Sequence, residues 1–444
     1  MPSFEEFFSV EALEAHYGAF LQSHLDVIRN VHRVARGSDR VELAIFRRDL
    51  AKHLRAASRK VLQGRYTFAA LLEREIPKDA GETRTISIST IRDAIVQRAL
   101  YGYLYEFVEA QLEDCVFGYR RGRNAHGAVA LIQQHFEGGR LAVFDADISQ
   151  FFDSVNHQTL IDKVSSLGTD DRARNLVTRF LKTSRVTATA AQKVNVAGGK
   201  QRKYPRSRRN CGVPQGGVLS GLLSNLYLAE FDRRIQREFD GLVRYADDFV
   251  ICVSDEEKCH QLRAVVESEL KKLGLKLHLM KTVDHCPAAA GIDFLGFRIS
   301  PIAVRIRHKN ILRFKERING VLSTQKVRRN SDLTLASLCN RLSFKIQGPG
   351  PKIMEKLIEH ELADHPFRRS WIGFFRIVTD DNQVRQLDRW IASQISSFIW
   401  RSHRVKVTRT DMRSAGLPTL YATMWKARRP PRPFTDERVE GGIL

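Results

Sequence analysis

Along the first 75 residues apolar positions recur at helical spacing: Leu13, Tyr17, Phe20, Leu21 and Ile28 fall on one face, and no proline follows Pro2. The pattern predicts a helical N-terminal extension over residues 1–75. Between 76 and 302 the period shortens, and runs of β-formers alternate with helical stretches and glycine-marked turns. That region reads as mixed α/β. From 303 to 425 helical spacing returns, with Leu387, Trp390, Ile391, Ile395, Phe398 and Ile399 on one apolar face. Residues 426–444 carry Pro, Arg and Gly with little to pack, and read as a flexible basic tail. No internal repeat is visible.

Two runs in the middle region place acids where strands should end. In the first, Leu141 to Ile148, alternation puts Ala142, Phe144, Ala146 and Ile148 on one face and Leu141, Val143, Asp145 and Asp147 on the other. In the second, Leu242 to Val253, Asp247 and Asp248 interrupt a run of β-formers, as expected for a tight hairpin with carboxylates at its tip. Adjacent carboxylates repel by roughly 4 kcal/mol at about 4 Å and an effective dielectric near 20. Exposure, protonation or a divalent cation relieves that repulsion. An isolated Asp-Asp pair is ordinarily an exposed turn, and the β pattern on both sides weakens that reading; hard oxygen ligands with open positions would suit Mg²⁺ shared with substrate phosphates.

Charge sharpens the picture. Lys and Arg number 72 against 50 Asp and Glu, a formal charge of +22, which points to a polyanionic partner. A merely basic surface is the plainer alternative, and no long basic amphipathic helix supports a membrane partner. The polar stretch 183–209, TSRVTATAAQKVNVAGGKQRKYPRSRR, reads as a hairpin or loop that touches phosphates, or else as a solvated loop. Six scattered cysteines without a C-x-x-C pair predict free thiols. The N-terminus lacks the apolar core of a signal peptide, and the expected location is cytoplasmic.

Three motifs then occur in a telling order. Asp147-Ile148-Ser149-Gln150-Phe151-Phe152-Asp153 looks like D-I-x-x-F-F-D, Gly212-Val213-Pro214-Gln215-Gly216 matches G-x-P-Q-G, and Tyr245-Ala246-Asp247-Asp248 matches Y-x-D-D. Together they resemble reverse transcriptases, and most closely the bacterial group II intron type. Flanking segments extend the likeness over most of the chain: Thr90–Gln97, Phe117–His126, Leu273–Leu277 with Lys281-Thr282, Phe294–Phe297, Ser370–Phe375 and Leu387–Ile391.

The resemblance implies an α+β right-hand polymerase. It would have fingers and a palm with an antiparallel sheet over 76–302, a helical, maturase X-like thumb over 303–425, and the N-terminal extension before them. It implies that Asp147, Asp247 and Asp248, with the Ile148 position, hold two Mg²⁺ ions, for which Mn²⁺ could substitute. Lys78, Arg84, Gln215, Gly216 and Lys281 would meet the incoming nucleotide, and Phe152 would exclude a ribose 2′-hydroxyl. Arg120 and Arg123 would lie on the template side, and Leu295 and Gly296 near the primer end. Asp145 stays without a role, and Asp153 is expected to cap the following helix.

The implied partners are an RNA template, deoxynucleotides and a DNA product, with no membrane. Several positions depart from the intron pattern: Ser220-Gly221 for Ser-Pro, Ser87-Ile88-Ser89 for Gly-Ile-Pro, and Arg121 for Pro. No nuclease module is expected after the thumb. These features favour a free-standing enzyme copying a dedicated non-coding RNA in anti-phage defence over an intron maturase. An RNA-folding or splicing factor is the reading from another class, and an RNA polymerase on the same palm is a third; the intact acids oppose the former and Phe152 the latter.

Overall fold

Both acid-bearing runs become neighbouring strands of one sheet. In the computed structural model, which describes residues 3–26, 31–77, 83–187, 210–348 and 370–429, contacts separate two units, one ending at Ala290 and the other starting at Gly291. Each is considered by itself.

The first unit opens with helices. Ser9 caps Val10–Ser23, whose Leu13, Tyr17 and Phe20 are buried as their spacing predicted. That helix stops where the Ser23 hydroxyl and the His24 ring both bond the Phe20 carbonyl. A short antiparallel ribbon follows, β1 (Leu25–Asp26) with β2 (Val31–His32), so the extension is not helical throughout. Ile28 lies outside the described residues. Next come β3 (Leu71–Pro77) and β4 (Thr83–Ile88), an antiparallel pair.

The core forms where helix Ile91–Glu109, capped by Thr90, meets helix Val218–Phe239. Eleven residues of the former and fourteen of the latter are buried, polar ones among them, so neither shows the one-sided pattern of a surface helix. Beside them stands the four-stranded sheet. It is built from β5 (Ala142–Asp147), β7 (Leu242–Tyr245), β8 (Asp248–Val253) and β9 (Val283–Pro287), in the order β7-β8-β5-β9 with every pair antiparallel. Strand β6 (Arg185–Thr187) instead joins β3 in parallel. The rest of the basic stretch, residues 188–209, lies outside the described residues.

The second unit contains a three-stranded meander, β10 (Ile292–Phe294), β11 (Phe297–Ser300) and β12 (Ala303–Ile306), followed by helices. Helical structure therefore starts at His308, not at 303. Ala303-Val304-Arg305-Ile306 pairs with β11, and a four-residue run is too short for periodicity to separate from the helix after it. In helix Asp381–His403, Leu387, Ile391, Ile395 and Ile399 are buried, while Trp390 and Phe398 sit at the margin of that face. Among the described residues, which include all six cysteines, no disulfide forms. Among the described residues, no helix is long and apolar enough to cross a membrane.

Candidate active site

The carboxylates meet because of strand register. Asp147, the last residue of β5, pairs with Asp248, the first of β8, and the two-residue turn Ala246-Asp247 joins β8 to β7. The Ile148 N–H donates to the Asp247 carbonyl at 3.2 Å, which ties the strand end to the hairpin tip. Ile148's side chain is buried, so only its carbonyl could ligate an ion. Burial pushes the Asp248 carboxyl up to about 7, and Asp145, Asp147 and Asp247 push in the same direction. Four acids thus crowd one place.

One cation answers them. The His278 N–H donates to the Asp147 carbonyl at 2.8 Å, and the turn that follows delivers the Lys281 ammonium to Asp147 Oδ2 at 2.5 Å. That contact, with the Asp247 and Asp248 charges, raises the lysine's pKa. Among the described residues, no three ligating side chains are drawn together into a ready-made cage for a metal. The donor set still fits a hard divalent cation: oxygen ligands only, mutually repelling, and short of positive charge.

The support beneath the hairpin was not visible in the sequence. Arg244, fully buried on β7, donates through Nε at 2.6 Å and Nη2 at 2.5 Å to the carboxylate of Asp232, which lies on helix Val218–Phe239. Its Nη1 also donates to Asn225 Oδ1 at 3.1 Å and to the Ala246 carbonyl at 2.8 Å. Ala246 needs this hold. Its φ is 62°, a left-handed conformation that costs a residue with a Cβ roughly 1–2 kcal/mol. Asn225 in turn donates to the Gly118 carbonyl at 2.8 Å, and backbone bonds join Phe117 to Arg244 and Arg244 to Cys115, each at 2.9 Å. The signal that could have revealed the network is a charged residue within a run of β-formers, which calls for a buried partner.

Gly118 allows the close approach. A Cβ there would stand 2.5 Å from the Ala246 nitrogen. Gly118→Ala should therefore displace the hairpin and lower the primer-extension rate by about a hundredfold. Gly18→Ala, where a Cβ meets nothing within 4 Å, serves as the control. Equal rates for the two variants would remove the contact from any positioning role.

The other expected residues are placed as follows. Phe152, half-buried, packs edge-on to Phe151 at 5.4 Å and to Tyr119 at 6.5 Å. Burial raises the Tyr119 hydroxyl's pKa, Asp247 adds to the rise and Arg84 opposes it, so both charges lie within reach of that ring. The Gln215 carbonyl accepts from the Ser87 N–H at 2.8 Å, and Gly216, at φ 93°, lies against Ile86, which brings the Gln-Gly loop onto β4 beside Arg84. Lys78 lies outside the described residues.

Arg120 is buried, its donors taken by Glu109 and the carbonyls of Glu113 and Val116. Arg123 pairs with Asp114. Asp153 sits inside the short helix Phe151–Ser154, and the next helix is capped by Asn156. Leu295 and Gly296, at φ 50° and 90°, form the β10–β11 turn in the second unit. One departure from the intron pattern has a physical cause: a Cβ at Gly221 would fall 2.3 Å from the Tyr119 ring, so the proline expected there would not fit.

A strand end and a hairpin tip that pool acidic side chains on an antiparallel palm define a template-directed nucleic-acid polymerase. A sequence model of the family described as reverse transcriptase (RNA-dependent DNA polymerase) matches residues 76–299, and the chain belongs to that family. Similar proteins include Protein YkfC of Escherichia coli K12, 28% identical over 307 residues that span 59% of this chain and 75% of YkfC. Another is the group II intron-encoded protein LtrA of Lactococcus lactis, 31% identical over 166 residues, 37% of this chain and a quarter (25%) of LtrA. A solved structure of apo telomerase from Candida tropicalis matches at a TM-score of 0.44 and 14% identity, over 54% of this chain and 55% of that one.

Proposed function

We propose that the protein extends a primer on an RNA template with two Mg²⁺ ions held by Asp147, Asp247, Asp248 and the Ile148 carbonyl. The observation that carries this reading is the pooling of those carboxylates at the adjoining ends of the two central strands, with Lys281 as their companion cation. When bound, such ions would activate a 3′-hydroxyl and stabilise the leaving pyrophosphate. The residues of the chain do the positioning. Arg84 on β4 would neutralise triphosphate oxygens, the Gln215-Gly216 backbone would admit the nucleotide closely, and Lys281 would turn from Asp147 toward the pyrophosphate. Phe152 would fill the space a 2′-hydroxyl needs. Primer extension on an RNA template with purified protein and Mg²⁺ tests the reading, and absence of any product sinks it.

Sugar choice gives a second measurement. Phe152→Val should raise ribonucleotide use relative to deoxyribonucleotide use by at least about tenfold, since the ring's bulk sets the gap. Unaltered discrimination in the folded variant would place the gate elsewhere.

For its setting we favour a dedicated non-coding RNA template in anti-phage defence, supported by the departures at Ser87–Ser89, Arg121 and Gly221. The likeness to an intron-encoded protein favours a maturase as the second reading. Sequencing of RNA and cDNA that co-purify with the protein separates the two: intron sequence on both strands would overturn the defence reading.

A further inference from the structure

The second unit contains a cavity of about 220 Å³ between helix Asp381–His403 and the helices Arg409–Ser414 and Leu420–Arg428. Arg385, Arg389, Arg409 and Arg413 converge on its rim. Ile391 and Met412, each 2% exposed, form an apolar floor with Leu417. Tyr421 supplies a wall, and the Arg385 guanidinium lies 3.7 Å from its ring centroid.

Asp388 is the one acid lining this cavity. Its two oxygens are taken by the N–H groups of Leu420, at 2.7 Å, and Tyr421, at 3.1 Å. Among the described residues, no carboxylate forms an ion pair with any of the four arginines. Some arginines of this unit are matched to acids, as Arg305 is to Asp380 and Arg428 to Asp381.

Asp388, whose charge acts on Arg385 and Arg409, is one acid against four guanidiniums, so the cavity keeps a surplus of positive charge that a bound anion would relieve. A bare phosphate would satisfy the charge but leave the apolar floor and the tyrosine wall without purpose. A nucleotide uses all three. The volume lies below the roughly 300–1,000 Å³ of small-molecule clefts, which suits one base and excludes a stacked pair. Unpaired bases are commonly received on aromatic rings or arginine planes while neighbouring phosphates are held by cations.

We infer that this pocket receives a single unstacked nucleotide of a nucleic-acid strand. The base extends the Arg385–Tyr421 stack over the apolar floor, and the flanking phosphates are held by Arg389, Arg409 and Arg413. The inference rests on reading the protein as one that handles nucleic acid, and is independent of its catalysis. The chemistry could come from the RNA template or from the DNA product.

Binding of the full chain is measured by fluorescence anisotropy without nucleotides. The probes are an RNA hairpin with one bulged nucleotide, the same hairpin fully paired, and the DNA versions of both. Wild-type protein should prefer a bulged probe by about tenfold, the range for one stacked base. That preference should vanish in Arg389→Ser/Arg413→Ser and in Tyr421→Leu, with affinity for the paired probes unchanged. The arginines are exposed, so their variant keeps the test open if Tyr421→Leu does not fold. A preference for bulged RNA alone assigns the pocket to RNA, for bulged DNA alone to the product, and for both to the nucleotide irrespective of sugar. No preference in the wild type, or equal weakening of paired and bulged probes in the variants, overturns the pocket. Failure of the wild type to bind any probe overturns instead the nucleic-acid reading on which it rests.

Discussion

Replacing both Asp247 and Asp248 by Ala should lower Mg²⁺-dependent nucleotide incorporation by at least about a hundredfold while RNA binding persists. Stabilisation of developing charge by preorganised groups is usually the largest catalytic contribution, and loss of even one such group has an effect of that order. Folding should survive the change. The two acids sit at a hairpin tip where they repel each other and the Asp145 and Asp147 carboxylates, so their removal relieves strain in the protein alone. Single-nucleotide incorporation with the double variant is the measurement. Undiminished rates would place the chemistry elsewhere.

Asp232→Ala should be the most destabilising single substitution in the palm, by about 3–5 kcal/mol, because it leaves the Arg244 guanidinium buried without its charge partner. The midpoint of urea unfolding reads this directly. The double variant Asp232→Leu/Arg244→Met should recover much of the stability, since a buried pair replaced by apolar side chains of similar volume is often neutral. It should not recover activity, because nothing then holds the Ala246 carbonyl. Stability and activity restored together would mean that the network serves packing alone. A wild-type midpoint in Asp232→Ala would remove its structural role as well.

Much of the palm was legible because its signals are local. Alternation at Ala142–Asp147 and the β-formers around Asp247-Asp248 gave the strands, and their pairing puts Asp147 opposite Asp248. The i, i+4 series Leu387, Ile391, Ile395, Ile399 likewise gave the buried face of its helix. What escaped depends on tertiary partners. Arg244 reads as a charge in a strand, and nothing local says that Asp232, twelve residues earlier on a helix, would be set against it. Arg120 reads as a template-side cation, yet burial among carbonyls commits it inward. The four arginines of the second unit's cavity come from two separate helices, so their convergence has no signature in sequence spacing. Strand β12 escaped for a different reason: four residues are too few to display a period.

The contact between Gly118 and Ala246 also bears on how such a polymerase can diversify. The turn at Gly118 is fastened to the acid-bearing hairpin by main-chain bonds and a side chain that reads only a carbonyl, Asn225 on Gly118. Such fastening is blind to the identity of the residues just beyond it. Position 121 can therefore change without loosening the acids, and its arginine, set over the Tyr105 ring at 4.0 Å, is an instance of that licence. Variation at this turn becomes separable from the geometry of the acids.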